Sequence, residues 1–285
     1  MRSRAYGIFF FVIQLLKISL HRQYLIAFKH RGTMSISVKN DALKNHLLAA
    51  LPEEEFARLK PDLESVSLPL GEVIYESGDK MTHIYFPTTA IISMLYIMEN
   101  GATAKIGIAG NNGLIGSALF MGSKSTSSRA VVQSTGDAVR IKAKPLQTEF
   151  DRGGFFQKLL LRYTQSLITQ ISQTAVCNRL HTVDQQLCRW LLINHDQLET
   201  DKLVMTQELI ANMLGVRREG VTIAAKKLQE KGLIKYSRGT ITMLDRKDLE
   251  KASCECYQIV MDEYERLLGK YIPVNRNHKE TAGNR

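Results

Sequence analysis

The sequence has few cysteines and no long apolar run, and each absence excludes a class of protein. Four cysteines in 285 residues are too few and too scattered for the disulfide framework of a small secreted protein. Their spacing also lacks the paired C-x2-4-C elements of zinc-binding motifs, so no metal site is predicted. The longest apolar run, residues 8–13, is far shorter than the ~20 residues of a membrane-spanning helix. We therefore expect a cytoplasmic protein with no place in the membrane.

Positive charge is in excess, but most of the excess lies at the start of the chain. Lys and Arg number 38 against 28 Asp and Glu, and residues 1–33 hold six of the ten net positive charges. High net charge is therefore weak evidence for nucleic-acid binding. Residues 1–33 can be interpreted in three ways. They can be upstream sequence that precedes a true translation start at Met34, a basic helix on a membrane surface, or a signal peptide. We favour the first and exclude this extension from the fold.

Residues 71–142 have the pattern of β structure. Short β-branched and aromatic runs alternate with glycine-containing breaks such as Asn100-Gly101, which predicts an antiparallel barrel or sandwich. The clearest predicted strands are residues 73–75, 91–97, 104–108 and 130–133. Two short helices, at 43–51 and 53–59, are predicted before them.

A long helix is predicted over residues 155–178, which contain no Gly or Pro. One set of positions steps alternately by four and three residues, as in a coiled-coil seam. This set is Leu160, Thr164, Leu167, Ile171, Thr174 and Asn178. Such a stripe packs either on the barrel of its own chain or on its copy in a homodimer. Its polar members, together with a place between two domains, favour the homodimer.

The C-terminal third predicts a helix-turn-helix. Thr182 and Gln185 form a capping-box pattern, which opens one helix. Thr206 can cap the next helix, which Gly215 ends, and a third begins near Arg217. Residues 233–236 and 240–244 then predict a β-hairpin, the wing of a winged helix.

The third helix of this region has one polar and one small apolar face. At ~100° per residue, Arg218, Glu219, Thr222 and Lys226 share a side, together with Ile223. Arg can bond guanine bidentately, Glu can accept from cytosine, and an apolar side chain can contact the thymine methyl. The wing tip can bind a phosphate. The predicted DNA contacts are Arg217, Arg218, Glu219, Thr222, Ile223, Lys226, Thr206, Gln207, Ser237 and Arg238.

The predicted fold class is α+β. It comprises an N-terminal antiparallel β-roll (a cupin-like double-stranded β-helix), a long dimerisation helix and a C-terminal winged helix-turn-helix. The predicted divisions are the extension 1–33, the β-roll sensor domain 34–150, the dimerisation helix 151–180, the DNA-binding domain 181–250, and a C-terminal helix and tail 251–285.

This order of elements resembles the Crp/Fnr family of bacterial transcription regulators over roughly residues 40–250. Residues 71–75 with Gly78-Asp79 resemble the β-roll fingerprint, and Arg218-Glu219-x-Val221 resembles the start of the recognition helix. The resemblance implies that Arg218 and Glu219 read bases. Ile223 stands where a third base reader, often Arg, is found, so the preferred half-site should differ.

The resemblance also indicates an effector region, at Gly116, Ser117, Arg129 and Thr174. Cyclic-AMP-binding members hold the ribose with a Gly-Glu pair, and the matching residues 114–120 lack this carboxylate. Cyclic AMP is therefore not predicted, the effector is unknown and no cofactor is evident. Iron–sulfur members cluster cysteines near the N-terminus, whereas this chain has none before Cys177. Cys254-x-Cys256, in a helix predicted over 249–268, would clamp a metal poorly alone, and His181 is expected to cap or cover a helix.

We expect a homodimeric DNA-binding regulator, not an enzyme. The chain contains no G-x-S-x-G, and its glycines at 110, 113 and 116 do not form a dinucleotide motif. Double-stranded DNA is the expected partner, with RNA polymerase as a second if the protein activates transcription. Two alternatives stay open: a β-roll that is only a structural or protein-docking platform without a small-molecule effector, and a helix-turn-helix that contacts protein. The local positive charge of residues 215–240 argues against the second.

Overall fold

The computed structural model describes residues 41–101, 103–198 and 200–272. Residues 1–33, for which three interpretations are given above, lie outside the described residues. Within the described part of the chain, no helix is both long and apolar enough to cross a bilayer.

The helices occur in two groups, one around the sensor and one in the C-terminal third. Thr182 and Gln185 form the predicted capping box at the start of the fifth helix. The α-helices are α1 (His46–Ala49), α2 (Glu53–Leu59), α3 (Ala143–Asp151), α4 (Gly154–Leu180), α5 (Val183–His195), α6 (Gln207–Leu214), α7 (Arg218–Glu230), α8 (Arg246–Ala252) and α9 (Glu255–Leu268).

In the part of the chain that the structure describes, seven strands form the β-roll, and all pair antiparallel. One sheet has the order β1-β7-β3 and the other β2-β6-β4-β5, while β8, β10 and β9 form a small third sheet in the C-terminal domain. The strands are β1 (Leu63–Leu68), β2 (Val73–Tyr75), β3 (His83–Pro87), β4 (Ile91–Ile97), β5 (Thr103–Ala109), β6 (Arg129–Ser134), β7 (Gly136–Lys142), β8 (Lys202–Val204), β9 (Ile234–Ser237) and β10 (Thr240–Met243).

Two apolar clusters stabilise the sensor. Small and β-branched side chains, among them Ile92, Ala130 and Val132, pack inside the roll. Larger side chains such as Phe86 and Phe156 pack between the roll and the helices around it. The predicted α+β class, an antiparallel β-roll followed by a long helix and a helix-turn-helix, is confirmed.

Helix α4 extends one residue before and two beyond the predicted 155–178. The first half of its predicted dimer seam lies in the core of its own chain, because Leu160, Thr164 and Leu167 are at most 7% exposed. The two leucines pack in the cluster that includes Phe86 and Phe156. The interpretation of these positions as contacts between copies is therefore wrong, and their burial in the chain explains their periodicity.

A neighbouring stripe of α4 faces outward. Leu161 is 50% exposed and Ile168 is 48% exposed, and Ala175 is also exposed, seven residues further on. Residues 165, 172 and 179 complete a four–three pattern of exposed positions, shifted by one from the predicted seam. The exposed stripe is of mixed character, because Leu161, Ile168 and Ala175 alternate along it with the polar residues 165, 172 and 179.

The C-terminal region contains two helices where one was predicted over 249–268. Asp245 caps α8, which ends at Ala252, and α9 begins after Cys254. Ser253 adopts an extended conformation (ψ 170°) between them, so the chain changes direction. The prediction of one continuous helix is wrong, and the break changes the positions of two cysteines.

Candidate nucleic-acid interface

Helices α6 and α7 form the helix-turn-helix, joined by a sharp turn. The Thr206 side chain caps α6 by accepting a hydrogen bond from the Leu209 amide at 3.3 Å. Gly215 ends α6 with φ of 67°, a left-handed conformation in which a side chain is strained. The turn therefore follows from the threonine and the glycine identified in the sequence.

Helix α7 buries one face completely and exposes the other. Val221, Ala224, Ala225 and Leu228 are at most 3% exposed and pack with α5 and α6. Small residues allow α7 to lie close to these helices. The exposed residues of α7 and its N-cap include six predicted DNA contacts, which we call the reading face: Arg217, Arg218, Glu219, Thr222, Ile223 and Lys226.

The two helices meet at a contact between predicted site residues. The Thr222 hydroxyl lies 2.8 Å from Gln207 Oε1 and 3.0 Å from the Arg218 carbonyl oxygen. Gln207 is half-buried at the first turn of α6, close to the exposed Thr206. This contact places the start of α6 beside the reading face, where both can meet one DNA backbone.

The wing is a tight hairpin with a basic tip. Ser237 pairs with Thr240, and the two residues between them have positive φ, 49° at Arg238 and 77° at Gly239. Positive φ at both central positions is typical of the type I′ turn, which suits the twist of a hairpin. Ser237 and Arg238 are exposed, and the Tyr236 hydroxyl ties the wing to the Met205 carbonyl oxygen at 2.8 Å.

Most cations around the reading face are exposed, and few are paired. Lys227 forms an ion pair with Asp184 at 2.8 Å, and Lys226 lies 3.7 Å from Glu230. Arg217, Arg218, Lys231, Lys235 and Arg238 are all exposed. Exposed basic groups favour phosphate binding.

The predicted effector residues have different surroundings. Arg129 on β6 is engaged by Glu76, with Nε 2.8 Å and Nη2 2.5 Å from its carboxylate oxygens. This bidentate pair lowers the pKa of Glu76, because the guanidinium stabilises the charged carboxylate. Arg129, the one cationic side chain among the predicted effector residues, thus already has an anionic partner within the chain.

The remaining three effector candidates lie on two other elements. Gly116 has φ of 103° and precedes the short turn of 3-10 helix that contains the half-exposed Ser117. Thr174 lies on α4, where its hydroxyl donates to the Gln170 carbonyl oxygen at 2.8 Å and accepts from Arg189 Nη2 at 3.0 Å. Since Arg189 belongs to α5, Thr174 contacts the DNA-binding domain.

The sensor sheet and the DNA-binding domain meet at a junction of buried hydrogen bonds and apolar contacts. Sequence patterns do not indicate this junction. Ser93 donates to Gln133 at 2.6 Å, and Gln133 donates to Asn194 of α5, all three buried. Ile91 and Ile108 of the sensor join the apolar core of the helix-turn-helix. Sensor and DNA-binding domain therefore share buried contacts.

Lys105 of β5 is buried at the same junction. Its ammonium lies 5.3 Å from the centre of the Trp190 ring, and both residues line a cavity with Arg189, Gln170 and Thr174. Burial lowers the pKa of Lys105 well below its usual value, and the nearby Arg189 lowers it further. The junction therefore contains a cation whose charged form is unfavourable.

Two family models match the chain. A cyclic nucleotide-binding domain matches residues 65–152, and a Crp-like helix-turn-helix domain matches residues 185–252. The chain belongs to the Crp/Fnr family of transcription regulators. Its members combine these two domains, so this Crp/Fnr protein is a DNA-binding transcription regulator with a β-roll sensor.

Solved structures share the fold at low sequence identity. FixK2 from Bradyrhizobium japonicum is 15% identical, with a TM-score of 0.60 over 67% of this chain and 98% of its own. A CRP-family regulator from Thermus thermophilus is 16% identical, with a TM-score of 0.56 over 66% and 96%. The c-di-GMP-responsive regulator CLP from Xanthomonas campestris is 16% identical, with a TM-score of 0.54 over 68% and 100%. No curated protein sequence matches the chain.

Proposed function

We propose that this Crp/Fnr regulator binds a two-fold symmetric DNA site as a homodimer, with the reading face of α7 in the major groove. The observation that supports this most is that one side of α7 is fully buried while Arg218 and Glu219 are exposed at its start. Residues at the start of a recognition helix contact base edges in helix-turn-helix proteins. Arg218 is assigned to guanine and Glu219 to cytosine, and Thr222, Lys226 and Ile223 complete the contact with bases and phosphates.

The residues around α7 contribute phosphate contacts in this proposal. Arg217 and the start of α6, with Thr206 and Gln207, meet one backbone, and the wing residues Ser237 and Arg238 meet another. Sequence discrimination then depends on α7, and much of the affinity on the surrounding cations.

The exposed stripe of α4 is the proposed contact between the two copies. Leu161, Ile168 and Ala175 repeat every seven residues, and Val176 and Leu180 lie exposed near the end of the helix. A heptad of apolar residues pairs with a second helix by knobs-into-holes packing. Residues 34–150 would then act as sensor, 151–180 as pairing helix and 181–250 as DNA reader, in the cytoplasm.

The effector is proposed to act through the junction between sensor and DNA-binding domain. A change in the sheet carrying Gln133 would move α5 through Asn194, and a change at α4 would move it through Thr174 and Arg189. Either would alter the distance between two recognition helices, which must fit one turn of DNA, ~34 Å. RNA polymerase is the expected partner if the protein activates.

A second candidate function has the same DNA-binding fold, with a β-roll that binds no small molecule and serves as a structural or protein-docking platform. The ion pair between Arg129 and Glu76 favours it, because a phosphate would have to displace the carboxylate. A thermal-shift screen of the full chain against a library of small metabolites distinguishes the two: the platform predicts no saturable ligand, and saturable binding of any metabolite would reject it.

The experiment that tests the proposed function is selection of binding sites from random duplex DNA by the full chain. The expected product is an inverted repeat with half-sites about 10 base pairs apart. A repeat of the selection with cell extract supplies an effector. The proposal fails if neither selection enriches any sequence.

A further inference from the structure

Three cysteines and one histidine that are distant in sequence lie together in the structure. The ligand atoms of Cys177, His181, Cys254 and Cys256 all lie within 4.8 Å of one another. The three thiols are buried, at most 5% exposed, and the histidine side chain is 13% exposed. We call this group the Cys3His cluster. It takes no part in the proposed reading of DNA.

The backbone brings two adjacent pairs to one place. Cys177 and His181 stand one helical turn apart at the end of α4, where the His181 amide donates to the Cys177 carbonyl oxygen at 3.1 Å. Cys254 is the N-cap of α9, and Cys256 is the second residue of that helix. Within one continuous helix, residues two apart point ~200° away from each other. The break at Ser253 therefore allows Cys254 and Cys256 to face the same partners.

Two distances within the cluster match those around a single tetrahedral metal ion, and the other ligand atoms are at most 4.8 Å apart. Cys177 Sγ and Cys254 Sγ are 3.6 Å apart, and Cys256 Sγ and His181 Nδ1 are 3.5 Å apart. Zinc–sulfur bonds of ~2.3 Å and zinc–nitrogen bonds of ~2.0 Å at tetrahedral angles give separations of about 3.5 to 3.8 Å between ligand atoms. A disulfide needs ~2.05 Å between sulfurs. In an iron–sulfur cluster, thiolates on different irons are separated by those irons and their bridging sulfides, whereas all four ligand atoms here lie within 4.8 Å of one another.

Neighbouring residues orient the histidine and complement the charge. His181 Nε2 lies 3.3 Å from a carboxylate oxygen of Glu255, so Nε2 can carry the hydrogen and Nδ1 can present its lone pair to the thiols. This is the carboxylate–histidine–metal arrangement found around zinc. Gln186 Nε2 donates to the His181 carbonyl oxygen at 2.9 Å and holds the end of α4. Arg189 lines the same cavity as Cys177, so its positive charge favours three thiolates around a divalent ion.

We propose that the Cys3His cluster binds one zinc ion and thereby fastens the end of α4 to the start of α9. On binding, the three thiols release three protons to solvent, and their sulfurs with His181 Nδ1 become the four ligands. With four protein ligands and no open position, the site is structural. Helix α9 packs back along α4, and its Tyr264 hydroxyl reaches the Asn112 carbonyl oxygen at 2.8 Å. The zinc would hold the end of α4, after which the DNA-binding domain begins, against α9.

The test is metal content and metal spectroscopy of the full chain, purified without chelator. The expected result is one zinc per chain by mass spectrometry of the metal. Exchange for cobalt(II) should give the visible ligand-field bands of a tetrahedral ion and a thiolate-to-cobalt charge-transfer band. The proposal is overturned by a folded chain that binds neither zinc nor cobalt, by stoichiometric iron and sulfide, or by a native Cys177–Cys254 disulfide.

Variants assign the ligands. Cys256→Ser should lose the zinc and the charge-transfer band, whereas Cys188→Ala, at an equally buried cysteine in the core of the DNA-binding domain, should keep both. His181→Cys should retain zinc and strengthen the charge-transfer band, since it replaces one ligand by another, and it keeps the test valid if Cys256→Ser does not fold. Glu255→Gln should weaken zinc binding about 10-fold. Full zinc retention in Cys256→Ser, or equal loss in Cys188→Ala, would refute the assignment.

The proposed zinc site and the proposed reading of DNA can be refuted independently of each other. The metal assays contain no DNA, so a chain that binds zinc but selects no DNA sequence refutes only the proposed reading of DNA. A chain that selects an inverted repeat without zinc refutes only the proposed metal site.

Discussion

The reading face of α7 and the effector region of the β-roll both contain arginine, but in the described part of the chain only the arginine of the effector region is paired with a carboxylate. Arg218 at the start of α7 is exposed and meets solvent, whereas Arg129 on β6 is bound by both oxygens of Glu76. An exposed arginine near other cations is ready to bind an external anion, and a bidentate pair has its partner already. The family resemblance predicts a role for both positions, but the local contacts favour only the first.

The largest expected effect is the loss of DNA affinity when the proposed contact between two copies is broken. Ile168→Glu places a charge on the exposed stripe of α4 and should give a monomer at micromolar concentration, measured by analytical ultracentrifugation. Because the second half-site then no longer adds to binding, affinity for the inverted repeat should fall at least ~100-fold. Leu70→Glu, at a residue 54% exposed in the sensor, is the matched control and should remain dimeric. A dimeric Ile168→Glu protein would contradict the assignment.

The next effect tests base reading directly. Arg218→Ala should cost about 1 to 3 kcal/mol on the selected site and much less on unrelated DNA, because a bidentate contact to guanine is lost. Fluorescence anisotropy on both duplexes measures the difference. Lys60→Ala removes an exposed cation of the sensor and should change neither value. Equal losses on the two duplexes would mean that Arg218 contacts phosphate.

The junction between sensor and DNA-binding domain should show a pH effect. Lys105 has a pKa lowered by burial, so the unfolded chain binds more protons between that pKa and the usual value of about 10.5. Wild-type stability should therefore gain from this group as pH rises in that window. Lys105→Met should raise the free energy of unfolding by about 1 to 3 kcal/mol at neutral pH, with a smaller advantage at pH ~10. Chemical denaturation at both pH values tests this, and a destabilised variant would contradict it.

The smallest effect is expected at Arg129. Both partners of its ion pair with Glu76 are partly exposed, so a double-mutant cycle with Arg129→Gln and Glu76→Gln should give a coupling of about 0.2 to 1 kcal/mol. DNA affinity without effector should not change. A large loss of DNA binding in Arg129→Gln would show that this arginine has a regulatory role and would remove the contrast with Arg218.

Local patterns predicted the helix-turn-helix well, because its determinants are close in sequence. The Thr206 cap, the Gly215 turn and the buried face of α7 are set by neighbouring residues. The predicted strands at 73–75 and 91–97 have the observed bounds, whereas β1, β3 and β7 were not identified. These three form one sheet, and residues far apart in sequence decide its pairing.

The errors arose where tertiary contacts decide. Helix α4 has two neighbouring stripes of four–three spacing, one residue apart, and periodicity alone does not show which stripe its own chain covers. The sequence does not indicate the Cys3His cluster, because its halves are 77 residues apart and because the pattern of residues 249–268 predicts one helix in place of α8 and α9. A signal was present in Ser253-Cys254-Glu255, which can end one helix and start another.

The most direct test of the central claim is to change the spacing of the selected half-sites. Two recognition helices in a dimer require half-sites on one face of the duplex, so insertion of ~5 base pairs, half a turn, should reduce affinity to the level of a single half-site. Insertion of ~10 base pairs restores the face but not the distance and should recover little. Unchanged affinity with the ~5 base-pair insertion would contradict the account, because each chain would then read DNA alone.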